Sequence, residues 1–239
     1  MTVPSAWTRR FAAQGKWSAP RTGGAVMVLE DAPDGLAATI DGDRLAVAAY
    51  ARRHDLPFLA TAATVDEAAA LGLPLVGKPR RGDGPAHLFE DWRTVAAALE
   101  AGGMVVQPLL GADQIAARRR AWAARAGTPW LWVVEDTVET AEAEAGPDGR
   151  LSPVRTALCA QRGGQPFEIR PTRDPAIAAI LRRWAETLIR DGRRGPLRLT
   201  GKRDADGVWR PFSLAFRPLG IPAGGAVTYR LTVMASTPR

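Results

Sequence analysis

The sequence predicts an α+β fold in which two lobes enclose a cleft. Between about residues 45 and 110, apolar segments with strand character alternate with amphipathic helical segments, which is typical of a small α/β lobe. From about 111 to 236, strand-like segments follow one another across turn sequences, and one long helical segment interrupts them. This second pattern predicts a lobe built on an antiparallel sheet.

These changes of pattern divide the chain into three parts. Residues 1–22 carry no sustained period, the apolar run 24–30 is predicted to form a strand, and residues 1–40 together are interpreted as an N-terminal remnant or extension. Residues 41–110 form the small lobe with its glycine-containing loop, and residues 111–239 form the antiparallel-sheet lobe.

Local signals place the elements of the small lobe. Asp43 is a helix N-cap, and Thr64 opens a helix with a capping-box acid at Glu67. We predict helices over 44–54, 64–72 and 90–102, and strands over 57–62, 73–78 and 104–110.

The second lobe is predicted from apolar runs and from one amphipathic segment. The helix over 174–192 carries Pro175 in its first turn. An acidic run along 135–144 is interpreted as a solvated face. We predict strands over 129–137, 138–145, 151–160, 196–203, 209–218 and 226–234.

Composition narrows the classes of function. The net charge is +7, but only three of the 32 basic residues are lysines, and the arginines are spread among acidic residues, which does not favour nucleic-acid binding. No apolar run approaches the roughly 20 residues that cross a bilayer. A single cysteine, Cys159, excludes an internal disulfide and fits a reducing cytoplasm.

One stretch carries a signal for phosphate binding. Lys78 ends an apolar strand and is followed by the loop 79-PRRGDGPA-86. Glycines allow backbone N–H groups to approach a phosphate chain, and the lysine adds a point charge. A glycine-containing loop of this kind is also common as an ordinary surface turn.

The order of elements adds weight to that signal. The predicted elements follow a fixed order: the strand with Lys78-Pro79, the glycine loop, a helix, the segment 105-VVQPLLGAD-113, an antiparallel sheet, a long helix and the hairpin turn 204-DADG-207. This order resembles the ATP-grasp superfamily, of the carboxylate-amine ligase, D-alanine ligase and carbamoyl-phosphate synthetase type. The resemblance covers roughly residues 38 to 220.

The resemblance implies an ATP site. Lys78 would contact the α and β phosphates under a lid formed by 80-RRGDG-84, and Arg44 would replace a second phosphate lysine. Gln107 and Leu109 would bind adenine through the main chain, and Asp113 would hold the ribose. The implied nucleotide-binding residues are Arg44, Lys78, Gly82, Gly84, Gln107, Leu109 and Asp113. His87, which replaces a loop glycine of the family pattern, is either a ligand contact or a surface residue.

The implied metal site departs from the family pattern. The oxygen ligands for Mg²⁺ would fall on Thr200, Ser213 and Ala215, none of which supplies a carboxylate. We therefore expect no Mg²⁺ in the usual geometry. Arg198 and Arg217 match arginines that some members use in catalysis, and either one could equally be a structural ion-pair residue.

Two functional hypotheses follow from this pattern. In the first, the protein is a degenerate ATP-grasp relative that acts in a biosynthetic pathway as a binding or partner subunit for an anionic small molecule or a protein. In the second, it is an ATP-dependent carboxylate-amine ligase that forms an acyl phosphate with unusual metal ligands or a partner's residues. About forty residues precede the first phosphate position, so the front domain of the family is either dispensed with or supplied by another chain in a hetero- or homo-oligomer.

Overall fold

The computed structural model describes residues 40, 42–82, 86–110, 135–162, 165–222, 225 and 227–228. Within these residues the chain forms four helices and nine strands, arranged in two antiparallel sheets. In the described part of the chain, no helix combines the length and the apolar character of a membrane-spanning segment.

The small lobe contains three helices and a three-stranded sheet. The helices are α1 (Arg44–Arg53), α2 (Val65–Leu71) and α3 (Trp92–Glu100), and the strands are β1 (Leu75–Pro79), β2 (His87–Phe89) and β3 (Met104–Pro108). The strand order is β2-β1-β3, with antiparallel pairing on both sides of β1.

Capping residues fix where these helices begin. The Asp43 carboxylate accepts the N–H groups of Leu45 and Ala46, which confirms it as the N-cap of α1. Thr64 and Glu67 form the predicted capping box of α2.

Gly77 in β1 is required by close packing, since a Cβ there would lie 2.2 Å from the ring of Phe89.

The second lobe is a six-stranded antiparallel sheet with one long helix. Its strand order is β8-β7-β4-β5-β6-β9, so the central pair is formed by β4 and β5. The elements are β4 (Glu135–Ala145), β5 (Arg155–Arg162), β6 (Gln165–Thr172), α4 (Pro175–Arg190), β7 (Gly195–Arg203), β8 (Trp209–Ala215) and β9 (Val227–Thr228).

The two faces of this sheet have different roles because side chains alternate along each strand. Ala141, Ala143, Leu197 and Leu199 face the core, where they meet the apolar residues of α4, with the fully buried Trp184 among them. The intervening residues of β4 and β7, including Glu142 and Arg198, therefore lie on the opposite face. That second face carries the polar residues on which the functional hypotheses depend.

Three local predictions differ from the structure. The predicted strand 57–62 is a coil apart from a single bridge between Ala62 and Val106. The two strands predicted over 129–145 are replaced by the continuous β4 within the described residues, and 129–134 lie outside them. Strand β6 was not predicted, because Pro166 and Pro171 within it are typical of loops.

Candidate functional site

Lys78 lies near the end of β1 with its ammonium group held by two contacts. Its Nζ donates to Oε1 of Gln107 at 2.9 Å and lies 4.0 Å from the ring centroid of Phe212 in β8. Burial lowers the pKa of Lys78 to about 7, and the positive charges of Arg44 and Lys202 lower it further. Lys78 is thus a partly buried amine under repulsion from two other cations.

Gln107 is the buried residue that connects the two sheets. Only 1% of its surface is exposed. Its Nε2 donates to Oγ1 of Thr61 at 3.0 Å and to the carbonyl of Phe212 at 3.3 Å. These two acceptors fix the amide, so its oxygen faces Lys78. The side chain of Gln107 therefore positions the lysine, a role that the sequence did not suggest.

The main-chain groups of Gln107 and Leu109 have partners in the structure. Val106 exchanges two hydrogen bonds of 2.9 Å with Ala62. Since neighbouring residues of a strand turn their N–H and C=O groups to opposite sides, those of Gln107 turn toward Val76 of β1. The N–H of Leu109 donates to the carbonyl of Pro74 at 3.1 Å. Adenine binding through these groups would require them to share or exchange these bonds.

Arg44 anchors the start of the glycine loop. Its Nη1 donates to the carbonyls of Pro79 and Gly82, the latter at 3.0 Å, and its own N–H donates to the carbonyl of Arg80 at 2.9 Å. Gly82 has a φ of +72°, a conformation that favours glycine. Arg44 thus holds main-chain carbonyls of the loop and lies near enough to Lys78 to lower the pKa of that amine.

Asp43 draws the same loop toward α1. Its carboxylate, whose side chain is 3% exposed, accepts hydrogen bonds of 3.0 Å from Nε of Arg80 and Nε of Arg81. Burial alone would raise the pKa of Asp43, but bonds from Arg80, the Ala46 N–H and Arg81 outweigh it, and the pKa falls to about 2. The two loop arginines are therefore held by Asp43.

The implied metal positions lie on β7 and β8. Thr200 is paired with Ser213 across the two strands, and Arg198 is paired with Ala215. The hydroxyl of Thr200 lies 3.4 Å from that of Thr140 on β4. Two hydroxyls and a methyl group do not fit Mg²⁺ in that geometry, since the ion prefers carboxylate oxygens. Among the described residues, no group of three or more His, Cys, Asp or Glu side chains could hold a metal ion.

A carboxylate does lie on this face of the sheet, but the loop after β8 surrounds it. Glu142, which is 2% exposed, accepts the N–H groups of Leu219, Gly220 and Ile221 at 2.8, 3.1 and 2.8 Å. Nη2 of Arg155 completes the set at 3.0 Å. The interpretation of the acidic run as a solvated face is therefore wrong for Glu142.

The remaining predicted residues lie in three kinds of place. Arg198 is partly buried and lies opposite Glu142, while Arg217 is exposed beyond the end of β8. His87 is an exposed residue at the start of β2, paired with Gly77. Gly84 and Asp113 lie outside the described residues. The structure thus brings together Arg44, Lys78, Gly82 and Gln107.

Comparison with known proteins yields matches in structure but not in sequence. No protein-family model and no curated protein matches the chain. The L-amino acid ligase from Bacillus licheniformis matches with a TM-score of 0.51 and 15% identity, over 77% of this chain and 42% of the other. N5-carboxyaminoimidazole synthetase from Staphylococcus aureus, complexed with ADP, matches with a TM-score of 0.52 and 14% identity, over 74% of this chain and 44% of the other.

Biotin carboxylase from Campylobacter jejuni, in a β,γ-ATP complex, matches with a TM-score of 0.54 and 13% identity, over 76% of this chain and 42% of the other. The chain thus spans less than half the length of each of these three enzymes, and at such low identity the likeness concerns the fold. All three have the ATP-grasp fold. The described part of this chain therefore has an ATP-grasp fold as well.

Proposed function

We propose that this protein is a degenerate ATP-grasp relative that binds an anionic ligand as a binding or partner subunit in a biosynthetic pathway. The observation that supports the proposal is the set Thr200, Ser213 and Ala215, at positions where the resemblance implies metal ligands. Without carboxylates there, two Mg²⁺ ions would lack the charges that hold them, and phosphoryl transfer would lack its main electrostatic catalyst.

The anionic character of the ligand follows from the cations around Lys78, which come from both lobes. Arg44 and Lys202 are close enough to Lys78 to lower its pKa, so the three side chains repel one another. An anion placed between them would relieve that repulsion. Lys78, Arg44 and the loop at Gly82 would then hold a phosphate or polyphosphate group, as the nucleotide complexes among the similar structures suggest.

The test compares ATP binding with ATP turnover. We expect ATP to raise the melting temperature equally in EDTA and in Mg²⁺, and ADP release to stay at background even with a co-purified partner present. Lys78→Ala should reduce the shift, because it removes a charge-assisted phosphate contact of about 2 kcal/mol. Arg53→Ala, at an exposed position near the end of α1, is the matched control and should leave the shift unchanged.

Three outcomes would contradict the proposal. ATP affinity that requires Mg²⁺, or ADP release above background that Lys78→Ala abolishes, would favour the rival function. That rival is an ATP-dependent carboxylate-amine ligase that forms an acyl phosphate with unusual metal ligands or with residues of a partner. If the protein purifies as a monomer without a partner and ATP does not raise its melting temperature, both functions are contradicted.

A further inference from the structure

The surroundings of Lys78 differ from those of a lysine that serves only as a fixed charge. The partner of its Nζ is the amide oxygen of Gln107, not a carboxylate. That amide cannot turn, because Thr61 and the carbonyl of Phe212 hold its nitrogen. The amide oxygen accepts one N–H of the amine in either protonation state. Lys78 therefore keeps a defined position when it loses its proton.

The charges around Lys78 favour that loss. Burial lowers its pKa to about 7, with Arg44 and Lys202 as the charged groups that add to the shift. Among the described residues, no carboxylate pairs with it. Near neutral pH about half of the Lys78 side chains would then be neutral, whereas a lysine in water is neutral in fewer than about one molecule in a thousand. A desolvated amine beside another cation is a recognised form of activated nucleophile.

We propose that Lys78 is a nucleophilic amine that forms an imine with a small carbonyl compound bearing a carboxylate or phosphate. The Nζ lone pair attacks the carbonyl carbon, and the electron pair of the C=O bond moves to oxygen. Proton transfer gives a carbinolamine, and loss of water leaves the C=N bond, with no net oxidation or reduction. Arg44 and Lys202 would attract the anionic substituent.

The inference goes beyond the proposed binding function and does not depend on ATP. A non-covalent anion site requires a charged lysine, whereas imine formation requires a neutral one. The two roles therefore have opposite pH dependence at the same nitrogen. Phosphate binding would strengthen as the pH falls through about 7, and imine formation would accelerate as the pH rises through the same range.

The other lysines of the chain provide controls for a labelling experiment. Its three lysines are Lys16, Lys78 and Lys202. The probe is pyridoxal 5′-phosphate, an aldehyde with a phosphate group, followed by borohydride, which reduces the C=N bond to a stable secondary amine. Peptide mass mapping then reports labelling at each lysine as a function of pH. Pyridoxal, which lacks the phosphate, tests the contribution of the anion.

We expect Lys78 to be labelled at least about tenfold faster than Lys202 at pH 7. The labelling rate of Lys78, plotted against pH, should have its midpoint near pH 7. Labelling with pyridoxal should be slower. Gln107→Glu places a carboxylate beside the amine, and Lys202→Met removes a repelling charge, so both should move the midpoint upward. Lys78→Arg should abolish labelling at this position.

Equal labelling of Lys78 and Lys202, or a midpoint near pH 10, would overturn the inference. So would a midpoint that neither folded variant moves. If Gln107→Glu fails to fold, Lys202→Met alone decides, since that side chain is only partly buried. Mg²⁺-dependent ADP release would contradict the proposed function without affecting these results, and the two proposals can therefore fail separately.

Discussion

Lys78 in the three-stranded sheet and Thr200 in the six-stranded sheet occupy positions to which the resemblance assigns nucleotide chemistry, and they differ in what surrounds them. Lys78 keeps an amine at its position, with a fixed amide acceptor and two neighbouring cations. Thr200 faces another hydroxyl, that of Thr140. The pairing of β1 with β3 is regular at Lys78, whereas the pairing of β7 with β8 shifts in register directly after Thr200. The lysine thus lies in a regular part of its sheet, whereas the implied metal positions lie beside an irregularity and lack the carboxylates that would bind a metal.

The six-stranded sheet retains a buried carboxylate, and Glu142→Ala is the largest expected change. Removal of this side chain leaves the N–H groups of Leu219, Gly220 and Ile221 without their acceptor. We expect a loss of about 3 kcal/mol in the free energy of unfolding, measured in urea. Glu142→Gln, which keeps the volume but not the charge, should lose less. Variants as stable as the parent would show that Glu142 does not hold this loop.

In the small lobe, Asp43→Ala is the comparable change and should have a smaller effect. It removes the N-cap of α1 and leaves Arg80 and Arg81 without their shared acceptor. We expect a loss of about 2 kcal/mol, of which the cap contributes about 1 kcal/mol. The arginine pairs add less than buried pairs would, because both arginine side chains are well exposed.

Asp43→Asn separates the two contributions, since asparagine is also a good N-cap. It should retain about half of the stability that Asp43→Ala loses. The folded pKa of about 2 lies below the ordinary aspartate value of 3.8, so the charge-dependent contribution is complete above about pH 4. It should disappear as the pH falls toward 2. A constant difference between the parent and Asp43→Asn over this range would contradict the ion-pair interpretation.

These residues also show which features a sequence can predict. Asp43, Thr64 and the Pro175 turn of α4 were predicted because capping depends on residues three or four positions apart. Glu142 and Glu144 lie on the same face of β4 and look alike in sequence, yet Glu142 is buried and Glu144 is exposed. The loop that covers Glu142 lies 77 to 79 residues away, and local patterns carry no such information.

The sequence predicts only part of the site around Lys78, because local patterns carry no information about contacts between distant residues. The lysine and its glycine loop are adjacent in sequence, so their pattern is visible. The amide of Gln107 reaches Lys78 across 29 positions and Phe212 across 105. Its side-chain role follows from the pairing of β3 with β1 and from contact with β8. The secondary structure of an apolar segment such as 57–62 is equally ambiguous in sequence. Phe58 packs against the core from a coil, so its apolar character does not indicate a strand.

Lys78→Met tests how much the buried amine lowers the free energy of unfolding. We expect the variant to change that free energy modestly, by an amount that depends on pH. The folded pKa of about 7 lies below the ordinary lysine value of 10.5. Below pH 7 both folded and unfolded chains carry the proton, and the folded protein bears the full cost of burying the charge. Between pH 7 and 10.5 only the unfolded chain is protonated, so the stability of the parent rises with pH.

The methionine variant lacks this titration. It should be more stable than the parent by about 1 kcal/mol at pH 6, after allowance for the partial exposure of Lys78, and the difference should disappear by pH 10. Urea denaturation at the two pH values provides the measurement. A difference that stays the same at both would mean that Lys78 keeps an ordinary pKa, and it would remove the basis for a neutral amine at this position.

Thr200→Val is the smallest expected change and the sharpest test of the contrast between the two sheets. Valine has nearly the shape of threonine, and among the described residues it removes one side-chain hydrogen bond, the 3.4 Å contact with Thr140. We expect a loss of no more than about 0.5 kcal/mol in the free energy of unfolding. Magnesium should leave the melting temperature of both proteins unchanged. If Mg²⁺ stabilised the parent and not the variant, the hydroxyls of β4 and β7 would be metal ligands after all, and the proposed loss of ligase chemistry would have to be abandoned.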